Sequence, residues 1–179
     1  EYLIRKTAFW KAFGVSVIRT VLGTAINLFM ICLTAYPLSK GDQRLTGRSV
    51  YTWYFFITML VGGGLIPTYV LVGQLGLRNT IWALVLPGAL PIFNLVLMIN
   101  FFRQVPTEME EAAMIDGAGQ LRILSQIYLP LSKSAIATIS LFCMVNHWNA
   151  WFDGMIYMKS PEKQPLQTYL RGIIMKMDM

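Results

Sequence analysis

Apolar residues in this chain gather into long runs separated by polar connections, at about 12–38, 50–73, 81–102 and 135–158. Neither the two-residue alternation of a half-buried strand nor the single apolar stripe of a surface helix describes them. Hydrocarbon is about 30 Å thick, so a helix rising about 1.5 Å per residue needs roughly 20 apolar residues to cross it. Each run reaches that length. So many in a chain of 179 residues leave too little polar sequence for a soluble helical protein with buried core helices. The pattern predicts an all-α fold, a polytopic transmembrane helical bundle, with residues 1–179 forming a single membrane domain.

Glycine and proline punctuate the runs. Gly62, Gly63, Gly64 and Pro67 fall in the second, and Pro87 and Pro91 in the third. A proline removes one helical hydrogen bond, so these helices are expected to be kinked or broken. At membrane depth such backbone must be buried in protein or line a cavity.

Composition agrees: 55% of residues are hydrophobic and 13% charged, against about 25% charged in soluble domains. Charge adds a direction. The connection after the first run carries Lys40, Arg44 and Arg48 against Asp42, and the one after the third carries Arg103, Arg122 and Lys133. The connection after the second run has only Arg78. Basic loops stay in the cytoplasm, so the first and third connections are expected there and the second outside. The N-terminal segment then lies outside, where Arg5, Lys6 and Lys11 run against the rule; a preceding span would deliver it there. A chain that opens at Glu1 and closes on KMDM is accordingly expected to be truncated at both ends. The first run is too long for a signal peptide and lacks a small-residue cleavage site. The net charge of +6 thus reads as topology; nucleic-acid binding would need a basic face on a soluble module. Cys32 and Cys143 lie inside apolar runs and read as reduced packing residues, with no disulfide framework and no metal site.

The connection 103–132 is the most informative. Thr107 followed by Glu110 forms a capping-box pattern, and Glu108, Glu110 and Glu111 suit the positive end of a helix dipole. Glu108 and Glu110 read as solvated capping charges. Gly117 and Gly119 supply a helix stop. A second amphipathic stretch passes through Leu121, Leu124 and Ile127, and Pro130 ends it before the fourth run. The segment reads as two short helices, too polar to span and too ordered for a linker.

Inside it stand Glu111-Ala112-Ala113, three residues, Gly117, nine residues, then Ile127, Leu129 and Pro130. This spacing resembles the cytoplasmic signature of permease subunits of ABC importers, the binding-protein-dependent inner-membrane components. The segments FFRQVP, IDGAG, AYPLSK, GLIPTY, LGLRNT and HWNAWF look similar to the carbohydrate, maltose-permease-like branch. The resemblance implies a type I importer fold with a cytoplasmic coupling helix, forming the path for a sugar or oligosaccharide; another solute, such as an amino acid or polyamine, is the alternative. It implies that Glu111, Ala112, Ala113, Gly117, Ile127, Leu129 and Pro130 couple to an ATPase through the loop 106–130. There the two alanines would allow close approach, Glu111 would offer a carboxylate, and Gly117 would set a bend. The implied partners are a second homologous permease subunit, an ATPase dimer, an external solute-binding protein and the lipid bilayer of a bacterial cell membrane. No cofactor is then bound by this chain: ATP and Mg are used by the partner ATPase, and the chain performs no covalent chemistry. A further span is expected after PLQTYLRGI.

Polar side chains inside a span are expensive and default to functional suspects. Asn146, Trp148, Asn149, Trp151 and Asp153 cluster in the fourth run and suit a carbohydrate path, since amides and carboxylates bond hydroxyls and indoles stack on sugar faces. Bonding between helices is the other reading. Asn27, Asn94 and Asn100 are weaker candidates. His147 reads as a hydrogen-bonded packing residue, and Arg19 as a side chain snorkelling to the outer interface. An integral-membrane enzyme would need converging carboxylates or a histidine-rich set, and a channel would need a ring-forming filter; the sequence displays neither.

Overall fold

The structure, a computed structural model, describes residues 7–41 and 45–177. Arg5, Lys6, Asp42 and Arg44, which enter the topology argument, lie outside these residues. All regular elements among the described residues are helical. The long helix α1 (Thr7–Ser39) is followed by α2 (Arg48–Leu60), α3 (Leu65–Gln74), α4 (Trp82–Val85) and α5 (Ile92–Phe102). Then come the short α6 (Thr107–Ile115), α7 (Gln120–Ile123) and α8 (Leu129–Leu131), and finally α9 (Lys133–Asn149), α10 (Phe152–Tyr157) and α11 (Leu166–Met177). By length and composition α1 can cross a membrane as one helix, and up to four spans result if each interrupted pair counts as one.

The first two interruptions have local causes. Between α2 and α3 the chain passes through Gly64 at φ 82°, ψ 169°, a region essentially reserved for glycine. Pro67 sits in the first turn of α3, where its missing N–H would have had no intrahelical partner. Pro87 falls in a 3-10 turn, Leu86–Gly88, and Pro91 caps the start of α5 with extended backbone. The break between α9 and α10 carries neither glycine nor proline, and side chains satisfy its loosened carbonyls instead. Arg19 Nη1 donates to the Ala150 carbonyl at 2.9 Å, and Thr168 Oγ1 to that of Trp151 at 2.7 Å. Without such partners a carbonyl at membrane depth would cost several kcal/mol.

The chain forms two compact units. One comprises residues 1–27, 63–89 and 142–179, with a core of Val72, Ala83, Leu84, Tyr157 and Met158. Beside it the rings of Tyr69 and Tyr157 stack at 6.1 Å. The guanidinium of Arg78 lies over Tyr69 at 4.2 Å and fills the space a side chain at Gly73 would occupy. Asn79, at φ 62°, holds the connection by exchanging two 3.2 Å hydrogen bonds with Ser160, one of them from the Ser160 backbone N–H. The other unit comprises residues 28–62 and 90–141. Ile31 and Ala35 of α1, Leu95, Met98 and Phe102 of α5, and Ile123, Tyr128 and Ile139 are all buried in it.

Candidate functional site

Helix α6 begins after Pro106 with no side-chain cap, so the expected capping box is not formed. Glu110 turns away from the helix start and is only 2% exposed, which corrects the reading of it as a solvated charge. Its Oε2 accepts from Lys40 Nζ at 2.6 Å and from the Tyr128 hydroxyl at 2.8 Å. The ammonium also donates to that hydroxyl at 2.9 Å and lies 4.0 and 4.1 Å from the ring centres of Tyr36 and Tyr128. Once buried, the carboxylate must be paired, and the ammonium and the phenol hydroxyl supply directional, charge-assisted partners. Glu108 remains exposed.

The network ties together elements distant in sequence. Tyr36 comes from the last turn of α1 and Lys40 directly follows that helix, Glu110 comes from α6, and Tyr128 from a π-helical turn, Leu124–Tyr128. Tyr36 donates its hydroxyl proton to Gln120 of α7 at 2.7 Å and meets Tyr128 edge to face at 5.0 Å. Phe102 of α5 meets the same tyrosine at 5.4 Å. Two open grooves flank the pair. One, about 610 Å³, is mostly apolar and runs past Leu33, Pro37 and Leu121; the other, about 450 Å³, reaches Arg103 and Glu111.

Gly117 stops α6. It sits at φ 76°, and its N–H donates to Met114 O at 3.0 Å while Ala118 N–H donates to Ala113 O at 2.9 Å. This is a Schellman motif. Gly119 is different: at φ −74°, ψ 162° its backbone is open to any residue, so it is no part of the left-handed stop. Nor does Pro130 end the next helix. Helical backbone continues through Leu131, Ser132 departs from it at φ −102°, ψ 23°, and the axis turns by 83° before α9. The π turn has already shifted the hydrogen-bond ladder where the missing bond of Pro130 would fall.

The motif residues divide between surface and support. Glu111, Ala112, Gly117 and Pro130 are exposed, whereas Ala113, Ile127 and Leu129 are half-buried. Ile115 and Leu121 add unusually bare apolar surface beside them, 86% and 73% exposed. The result is a small-residue and apolar face, edged by Glu111, on a helix fastened from beneath by Glu110. Such a face suits docking into a cleft and offers no set of groups for covalent chemistry.

The polar residues of the fourth run do not converge. Asn146 and Asn149 are exposed on α9. Trp148 packs edge to face on Phe13 at 6.0 Å, and Trp151 lies under the Arg171 guanidinium at 3.7 Å. Asp153 pairs with Arg19 and accepts the Gly154 N–H at 2.8 Å. Arg19 is 2% exposed, so it does not snorkel: a carboxylate and a free carbonyl offer it better partners than the interface. His147 is buried, with Nε2 3.4 Å from Asn27 Oδ1, and its ring rests on Gly23, where a Cβ would collide with it. Ser16, Arg19, Thr24 and Asn27 are all buried along one face of α1. The spacing of three, five and three residues keeps these polar positions on one side of the helix within an apolar run, and it was the available signal for this seam.

The family described as "Binding-protein-dependent transport system inner membrane component" matches residues 8–152. Among curated proteins, the chain is 42% identical to Protein LplC of Bacillus subtilis over all of its length and 60% of that protein. It is 44% identical to the polygalacturonan/rhamnogalacturonan transport system permease protein YtcP of Bacillus subtilis, over 97% of this chain and 60% of that one. The chain therefore spans about 60% of the length of these relatives. Among solved structures, a chain of a bacterial ABC transporter involved in the import of the acidic polysaccharide alginate matches with TM-score 0.94 and 35% identity. That match covers 99% of this chain and 63% of that one.

Proposed function

Because the chain belongs to the family of binding-protein-dependent transport system inner membrane components, we propose that it is a permease subunit of an ATP-driven importer for a sugar or oligosaccharide. The observation that carries the reading is the face of α6 on which Glu111 and Ala112 are exposed and which Gly117 closes. We assign this face to docking on a cytoplasmic ATPase subunit, with Ala113, Ile127 and Leu129 supporting it and Pro130 at its margin. ATP binding would move the docked helix and, through it, the spans. Such gating requires the nucleotide to bind the two arrangements unequally. A second permease subunit would complete the path, and an external binding protein would deliver the solute. Relatives named for polygalacturonan and rhamnogalacturonan, lactose, and maltodextrin transport support a saccharide substrate. On this reading Asn146 and Asn149, exposed on α9, are the better placed of the fourth-run residues to meet solute, while Trp148, Trp151 and Asp153 hold neighbouring helices.

Uptake by the full-length complex in proteoliposomes tests the proposal. Oligogalacturonides, maltodextrins and lactose would be offered with the cognate binding protein, with and without internal ATP. ATP-dependent accumulation of one saccharide is expected. Accumulation without ATP, or of an amino acid or polyamine but no saccharide, would overturn it.

A further inference from the structure

We propose that Lys40 and Glu110 are positioning residues for coupling: the buried pair links the docking helix α6 to the end of α1, so that movement of one is carried to the other. This rests on the coupling role proposed for α6. The motif places Glu111, Ala112 and Gly117 on the docking face and the half-buried Ala113, Ile127 and Leu129 behind it. Helix α6 has only nine residues, ends in a glycine turn, and presents most of its surface to solvent. A helix so short needs directional contacts with a span if its movement is to displace the spans. Glu110 supplies the attachment. It is among the largest fully buried side chains, is bonded to Lys40 at 2.6 Å and to Tyr128 at 2.8 Å, and lies next in sequence to Glu111.

The surroundings make the link stiff. The Lys40 ammonium is held between the Tyr36 and Tyr128 rings, and Tyr128 is braced by Phe102. Tyr36 reaches across to Gln120 on the far side of the Gly117 turn. Helices α6 and α7 are thereby bonded to the C-terminal end of α1 and the residue that follows it. All of these residues lie within one compact unit, so the link does not depend on how the two units are arranged. A buried ion pair is a poor source of net stability, because desolvation offsets most of the attraction. Its geometry is nonetheless specific and strongly directional, as a transmitting contact requires.

The test separates transmission from folding. Single changes such as Glu110→Gln leave one buried charge without its partner and are expected to lower assembly. The paired variant Lys40→Met with Glu110→Gln removes both charges and keeps similar volumes, so it is expected to assemble like the wild type. The full complex, reconstituted with its binding protein, would be assayed for saccharide uptake and ATP hydrolysis together. The expected result for the paired variant is normal assembly and basal hydrolysis, with saccharide moved per ATP reduced by at least about fivefold, the lower end of typical coupling between sites. Wild-type uptake per ATP in the paired variant would overturn the proposal. Failure of that variant to assemble would also overturn it, since the pair would then be a requirement of the fold. If the wild-type complex itself shows no ATP-dependent uptake, it is the coupling role of α6 that fails.

Discussion

Replacing Gly117 by alanine isolates the cost of one backbone conformation. A Cβ at Gly117 meets nothing within 4 Å, so no clash contributes. What remains is φ 76°, where an L-residue pays about 1–2 kcal/mol for the contact between Cβ and carbonyl. That corresponds to roughly a 5- to 30-fold fall in the ratio of closed to open turn. Gly119→Ala is the internal control: it is equally open to solvent, but φ −74° imposes no such cost. Hydrogen–deuterium exchange of the complex in lipid nanodiscs reads the difference at the two amides that close the turn, those of residues 117 and 118. In Gly117→Ala they should exchange about 5- to 30-fold faster, while Gly119→Ala should match the wild type. Gly117→Asn should fall between, because asparagine tolerates the left-handed region better than alanine. Equal exchange in both alanine variants would refute the argument that this conformation, rather than small size, selects glycine at 117.

Other perturbations follow from the polar contacts within the first unit. Asp153→Asn leaves the Arg19 guanidinium, 2% exposed, without its carboxylate. The expected cost is about 3 kcal/mol, the low end for a broken buried pair because Asp153 keeps some exposure, read as a lower Tm in detergent; an unchanged Tm would contradict it. Gly23→Ala drives a Cβ into the His147 ring and should cost about 1–3 kcal/mol by overpacking. Adding His147→Ala should recover part of the lost Tm, whereas strictly additive losses would show that the two residues do not press on each other. Asn79→Gly should destabilise less than Asn79→Ala in the same assay, since both lose the bonds to Ser160 but only alanine strains at φ 62°. The reverse order would deny the conformational contribution.

The helical class was legible because membrane hydrocarbon imposes a length requirement that a single sequence displays. The Gly117 stop was legible for a similar reason, since only local backbone geometry decides it. What sequence reading missed depends on partners far along the chain. Glu110 sits among acidic neighbours that look alike locally, and nothing near it announces Lys40, seventy positions earlier. Arg19 looked like a snorkelling residue because Asp153 lies 134 positions away. The break after Asn149 lacks glycine and proline, and its carbonyls are satisfied by side chains from α1 and α11 that no local pattern reveals. Pro130 misled in the opposite sense: a strong local breaker was absorbed by a π turn.

The central claim is that the exposed face of α6 carries the signal between ATP hydrolysis and the spans. Its most direct test is ATP hydrolysis by the full complex with and without solute-loaded binding protein, comparing the native chain with a Glu111→Ala, Gly117→Asp variant. The account predicts that the variant complex assembles but its hydrolysis no longer responds to the loaded binding protein. Unchanged stimulation and uptake would contradict it.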